Sequence, residues 1–266
     1  MRAVADILVN TPEIELWPAR LLHARASHDA RALARADRVL RRKRDGAYLA
    51  IVTRGVLQPL RPRHARAPGL DAAMAALRRL PTPRRDGADP VATLPLSRLQ
   101  DRLQRLGLDP DRYAARTGLP LVPEPAWLAL AGHDRYRRPL WLHPGAARAW
   151  RRLRDAALRD GLVLDAISGY RSHDYQLGIF ERKLARGLTV DQILAVNAAP
   201  GYSEHHSGRA LDLGTPGEPP AEASFEDTAA FAWLQDHAAS HGFVMSYPRD
   251  NPHGIVHEPW HWCWRG

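Results

Sequence analysis

Ser203-Glu204-His205-His206-Ser207-Gly208-Arg209-Ala210-Leu211-Asp212 is the stretch on which the fold and chemistry of this chain turn. A catalytic zinc site takes imidazole nitrogen and carboxylate oxygen from three protein ligands and keeps one position open. The segment reads as a loop holding His205, then a strand, 209–213, holding Asp212. Gly208 permits a sharp return of the backbone between them. Ala210 lies two residues before Asp212, so the two share a strand face. A small side chain there leaves room above a metal. By themselves, a His and an Asp seven residues apart do not establish a metal site.

A second cluster lies fifty residues on, Glu258-Pro259-Trp260-His261-Trp262. It offers a third ligand, His261, and a carboxylate, Glu258, that can take a proton from an activated water. Residues three apart face opposite sides of a regular strand, which sets Glu258 against His261. Pro259 answers part of that objection, since proline marks irregular strand starts. For Trp262 and Trp264 plain core packing is the reading. A third cluster, Ser168-Gly169-Tyr170-Arg171-Ser172, follows a short apolar strand at 162–167. A guanidinium at a strand end can bind a carboxylate or a developing oxyanion, although alone Arg171 reads as an ordinary surface ion-pair residue. Gln176, one turn into the next helix, can face the same cleft.

Around these clusters the pattern alternates helices and short strands. Leu96, Leu99, Leu103 and Leu106 fall at helical spacing, and Asp109-Pro110 opens a second helix as N-cap and first-turn proline. Helices are predicted over 144–160, 174–186, 190–197 and 226–241, with Gly161, Gly187 and Gly242 as stops. Strands are predicted over 243–247 and 258–264. Irregular connections between them make this an α+β chain with a small antiparallel sheet flanked by helices.

The charge divides the chain. Residues 1–94 hold 18 Lys+Arg against 9 Asp+Glu, whereas residues 95–266 hold 20 of each. Lys43 and Lys183 are the only lysines. Runs such as Arg41-Arg42-Lys43-Arg44, Arg61-Pro62-Arg63 and Pro81-Thr82-Pro83-Arg84-Arg85 show no sustained period, and only short apolar stretches such as Ala47–Val52 interrupt them. Residues 1–94 are therefore expected to be a basic, poorly ordered extension, or to precede a true start downstream at Met74. Residues 95–266 are expected to be the working domain, with 168–262 as its motif core. No apolar run reaches the ~18 residues of a membrane span, and the first residues lack the apolar core of a secretory signal. One cysteine, Cys263, excludes an intrachain disulfide and a Cys-rich zinc module. The excess charge lies outside the motif-bearing region, so no nucleic-acid partner is expected.

Taken in order, Ser-Gly-Tyr-Arg-Ser, Ser-x-His-x-x-Gly-x-Ala-x-Asp and Glu-x-x-His-Trp resemble the zinc D-alanyl-D-alanine carboxypeptidases of the VanY type. That group is related to the D-Ala-D-Ala dipeptidases and the Hedgehog N-terminal domain. The resemblance covers roughly residues 95–266. It implies Zn²⁺ held by His205, Asp212 and His261, with Glu258 as catalytic base. It implies Arg171 on the scissile carbonyl oxygen, and Gln176 and Ser203 lining the substrate site. The implied substrate is a D-Ala-terminated peptidoglycan stem peptide and the implied state a monomer. A dipeptidase, an endopeptidase or a non-catalytic zinc module with the same site stays open. The missing export signal reads as cytoplasmic, the implied substrate as cell envelope. His206, His173, His253 and His257 fall outside the motif pattern, and Cys263 reads as core.

Overall fold

The computed structural model describes residues 6–24, 26–79, 91–96 and 98–266. Two compact units divide the chain: Met1–Pro95 with Pro125–Leu130, and Leu96–Glu124 with Ala131–Gly266.

The first unit corrects the expectation of a poorly ordered extension. It contains β1 (Ile7–Asn10), β2 (Ile14–Pro18), α1 (Ser27–Leu33), β3 (Arg38–Arg42), β4 (Tyr48–Thr53), β5 (Val56–Pro59) and α2 (Leu70–Arg78). With β6 (Trp127–His133) the strands run in the order β5-β4-β3-β2-β1-β6. Every pair is antiparallel. Ile14, Leu16, Leu40, Leu49 and Ala50 are fully buried, and Leu70 and Ala73 of α2 join the same core. Strands β1–β5 are four to six residues long, too short for an alternating signal among many arginines. Even Arg38 is buried, its Nη1 donating to Ile7 O at 2.6 Å. The Pro81–Arg85 run lies outside the described residues.

The second unit is the expected α+β arrangement. Its elements are α3 (Leu99–Arg105), α4 (Pro110–Thr117), β7 (Pro139–Leu142), α5 (Pro144–Arg159), β8 (Asp165–Ser168), α6 (His173–Leu184), α7 (Val190–Leu194), β9 (Ala210–Gly214), α8 (Ala229–His237), β10 (Phe243–Met245) and β11 (His261–Trp264). Helix starts carry side-chain caps. Asp109 accepts from Arg112 N at the start of α4, and Thr189 closes a full capping box on α7. Leu99, Leu103, Tyr113, Phe180, Ile193 and Tyr202 build one buried core from α3, α4, α6, α7 and the segment after α7. Trp150 and Leu153 are buried on α5.

The sheet of this unit has the order β10-β11-β9-β8 and is antiparallel throughout. β9 is therefore interior, with β11 on one side and β8 on the other. Its register sets His261 of β11 directly opposite Asp212, and a shift between Ala166 and Ser168 brings Ser168 opposite Asp212 from the other side. Opposed residues of an antiparallel pair share a face. All three motif clusters thus meet at one point of one sheet.

Candidate metal centre

Asp212 is the hub. Its Oδ1 lies 3.1 Å from His205 Nε2 and 3.2 Å from His261 Nδ1. Its Oδ2 accepts from Arg171 Nη2 at 3.2 Å. One ligand atom from each of His205, Asp212 and His261 lies within 4.8 Å of the others, and all three residues are buried.

His205 comes from a 3₁₀ turn, Glu204–Ser207, that ends on Gly208 in the left-handed region at φ +67°. Its Nδ1–H donates to Gly169 O at 2.7 Å, which leaves Nε2 facing Asp212. Gly169 is required there: a Cβ would stand 2.7 Å from Leu140 Cδ1 and 3.1 Å from Trp141 O. The other ring nitrogen of His261, Nε2, donates to Glu204 Oε2 at 2.9 Å. Each imidazole is thus fixed through one nitrogen and offers the other to the centre, the arrangement by which outer partners orient metal-ligating histidines.

The charges are set by burial and by one another. Burial, then the nearby Arg171 charge, lowers His205 to about 4, so its ring is neutral. Burial opposes the charge on Asp212, but His205 and Arg171 outweigh it and hold the carboxyl well below its usual range. Burial also opposes a charge on His261, yet hydrogen bonds to Asp212 and Glu204 push it up to about 10. Glu258 is pushed up to about 7, chiefly by burial.

Glu258 resolves the strand-face objection raised by its spacing. β11 begins only at His261, and Glu258–Trp260 form the turn before it, with His261 N donating to Glu258 O at 3.1 Å. The turn returns the Glu258 carboxylate to within 3.9 Å of His261 Nδ1. Arg171 sits on the loop between β8 and α6. That loop is held by Tyr170 OH donating to Glu124 Oε2 at 2.6 Å and by His173 N donating to Glu124 Oε1 at 2.8 Å. Ser172 then caps α6 through Tyr175 N.

A cavity of about 570 Å³ opens beside the cluster, with Arg171, Gln176, Ser203, Asp212, Glu258 and His261 in its wall. Gln176 Nε2 donates to Ala198 O at 2.9 Å, while its Oε1 is buried without a hydrogen-bond partner among the described residues. Arg171 Nε is buried and unpartnered as well. All seven residues singled out from the sequence therefore line one cavity.

Three residues at the site carried no sequence signal that assigned them. Glu204 orients His261 and is itself held by Arg265 Nη2 at 2.6 Å. Glu124 fixes the Arg171 loop from a distant part of the chain. His206 is buried, its Nδ1 2.7 Å from Arg171 O and its Nε2 accepting from Gly201 N at 3.1 Å. His173, His253 and His257 bind Val122 O, Thr117 O and Glu226 Oε2. Cys263 is buried, with its thiol pushed up to about 12 by burial.

The family model described as "VanY: D-alanyl-D-alanine carboxypeptidase" matches residues 139–266. The putative carboxypeptidase YodJ of Bacillus subtilis is 37% identical over 125 residues, covering 46% of this chain and 45% of that protein. The bifunctional D-Ala-D-Ala dipeptidase and D-Ala-D-Ala carboxypeptidase VanXYC of Enterococcus gallinarum is 33% identical over 153 residues, covering 54% of this chain and 76% of that protein. Among solved structures, the LdcB LD-carboxypeptidase is 33% identical at a TM-score of 0.45, covering 47% of this chain and 60% of that one. The match to YodJ thus spans less than half of that relative.

Proposed function

The chain belongs to the VanY D-alanyl-D-alanine carboxypeptidase family, and from that footing we propose that it is a zinc peptidase that hydrolyses a peptide bond at D-alanine in peptidoglycan peptides. The observation that carries this reading is the convergence of His205 Nε2, Asp212 Oδ1 and His261 Nδ1 within 4.8 Å, with Glu258 beside them in one cavity. Two imidazoles and a carboxylate are the donor set of a catalytic zinc site. The hydrogen bonds from His205 to Gly169 O and from His261 to Glu204 supply the orienting shell such a site needs. The residues fit the metal.

His205, Asp212 and His261 would hold Zn²⁺, which when bound would supply Lewis acidity that lowers the pKa of water and polarises a carbonyl. Glu258 takes the proton of the attacking water and returns it to the leaving amine. Its pKa, about 7 from burial, suits a group that must do both near neutrality. Arg171 keeps Nη2 on Asp212, and its guanidinium, in the cavity wall, is the donor for the oxygen of the scissile carbonyl. Gln176 and Ser203 line the same wall, where their side chains face the bound peptide.

The test is zinc content together with D-alanine release from a D-Ala-D-Ala-terminated peptide. One zinc per chain is expected, with release lost on chelation and restored by zinc. A protein that binds zinc but releases nothing would reduce the site to a non-catalytic metal module. Free D-Ala-D-Ala belongs in the same assay, because the relative matched over 76% of its length is a dipeptidase as well as a carboxypeptidase.

A further inference from the structure

Three arginine and lysine side chains stand in the wall of the cavity: Arg171, Lys183 and Arg249. Two are committed. Arg171 pairs with Asp212, and Arg249 pairs with Glu226. The Lys183 ammonium has no hydrogen bond or ion pair among the described residues. Three carboxylates share the wall, Asp212, Glu222 and Glu258: Asp212 is paired with Arg171, and no ion pair joins Lys183 to Glu222 or Glu258 among the described residues, although Glu258 acts on its charge.

Lys183 is not a stray surface charge. It is half-buried, one of only two lysines among 38 basic residues. It lies on α6 seven residues after Gln176, and seven residues are close to two full turns, so both occupy one helix face. That face lines the cavity at both positions. The separation along the helix is about 10 Å, the reach of about three residues of extended peptide. Burial and the Arg171 charge both disfavour its protonated form, and Glu258 partly offsets them. A partly desolvated ammonium with no partner is an unfavourable arrangement that an anion would relieve. A lysine presents a compact point charge on a flexible stem, suited to a single carboxylate rather than to a planar two-point clamp.

We propose that Lys183 is a specificity-determining residue whose ammonium binds a carboxylate of the bound peptide, at a point in the cavity separate from the groups around the scissile bond. This rests on the peptidase reading of the cavity. Two sources share the chemistry: the C-terminal carboxylate of the substrate, and a side carboxylate on a residue N-terminal to the scissile bond.

The test is steady-state kinetics of the zinc-loaded full chain on two pairs of D-Ala-D-Ala-terminated peptides. One pair differs as C-terminal acid and amide, the other as Glu and Gln on the N-terminal side. The parent is expected to discriminate one pair by about 10- to 100-fold in KM, the range of a hydrogen bond to a charged group. Lys183→Met should remove that discrimination, with zinc content unchanged and kcat on the preferred peptide within about twofold. Lys183→Arg should retain most of it. The discriminated pair identifies the carboxylate. A parent that discriminates neither pair overturns the proposal without any variant, which matters if Lys183→Met folds poorly. So does a Lys183→Met protein with the parent's KM values, or one that loses kcat alone. A zinc-loaded parent that releases no D-alanine from any peptide overturns the peptidase reading, and the Lys183 assignment with it.

Discussion

The Nε2 nitrogen of His261 lies 2.9 Å from Glu204 Oε2, while Nδ1 of the same ring faces Asp212. Burial alone would discharge this ring, but its two carboxylate partners outweigh burial and hold it protonated up to about pH 10. A metal bound at Nδ1 must displace that proton. The competing proton is bound below about pH 10, so falling pH weakens zinc binding. Between pH 6 and 8 the zinc affinity should rise about tenfold per pH unit. Calorimetry in buffers of different ionisation enthalpy should show about one proton released per zinc. A pH-independent affinity with no proton release would contradict the assignment of His261.

Glu204 is the partner that fixes the ring of the proposed ligand His261. Arg265 Nη2 anchors its other oxygen at 2.6 Å. Substituting Glu204 by Ala should weaken zinc binding by about 10- to 100-fold, the usual effect of losing an orienting partner. Competition with a chromogenic chelator measures it. His205→Ala and His261→Ala should lose zinc outright, since each removes one of three ligands. Equal zinc occupancy in Glu204→Ala and the parent would show that the carboxylate does not orient the ring.

Glu258 separates chemistry from metal binding. Glu258→Gln should keep its zinc and lose about 10²- to 10⁴-fold in turnover. The same variant has a second signature in the metal-free protein. Burial raises the carboxyl from 4.5 to about 7 in the folded state. The charged form is thus disfavoured by folding, a penalty that appears as pH rises above 4.5 and is complete above about 7. Metal-free Glu258→Gln should therefore melt higher than the parent at pH 8 and alongside it at pH 4. Equal melting temperatures at both values would place the carboxylate in water.

How much of this was legible in the sequence depends on how local each signal is. His205 and Asp212 sit in ten consecutive residues, and their spacing survives because one turn and one strand carry both. His261 and Asp212 are 49 residues apart, yet the order of the motifs anticipated a meeting that the β9–β11 register makes direct. Glu258 was harder, because a strand reading separates it from His261 and only the turn at Glu258–Trp260 rejoins them. The first unit gives no such signal: Leu16, Leu40, Leu49 and Ile51 are buried on strands too short to show a period, among arginines whose charge points to solvent. Glu124 is 46 residues from Tyr170 and belongs to no motif, so no local pattern points to it.

Gly145 tests the packing that backs the sheet. It opens α5 inside the first turn, where any residue could adopt the backbone. A Cβ there would come within 2.2 Å of Trp264 Cη2 on β11. The ring is rigid and cannot step aside as a flexible chain would. Gly145→Ala should destabilise the protein by about 1–3 kcal/mol, the usual effect of overpacking, read as a lower denaturation midpoint. Gly145→Ala with Trp264→Leu should recover part of the loss, and failure to recover any would put the conflict elsewhere.

His206 adjoins the proposed ligand His205 but serves a different purpose. It is neutral, because burial first and the nearby His173 second push it well below 6.5. A neutral ring can donate from Nδ1 to Arg171 O and accept at Nε2 from Gly201 N–H, and both contacts are present at 2.7 and 3.1 Å. It thereby ties the backbone of the residue assigned to the carbonyl oxygen to the segment after α7. Truncation to Ala leaves a buried carbonyl and a buried N–H unsatisfied, at about 1–3 kcal/mol each. For a chain of this size, each kcal/mol lowers the melting temperature by about 2–4 °C. His206→Ala should therefore melt several degrees lower, bind zinc at the parent's stoichiometry, and lose turnover because Arg171 is less firmly placed. His206→Asn can restore only the Nδ1-side contact with Arg171 O, so it should recover activity ahead of stability. If His206→Ala lost zinc while His205→Ala kept it, the ligand register would be displaced by one residue.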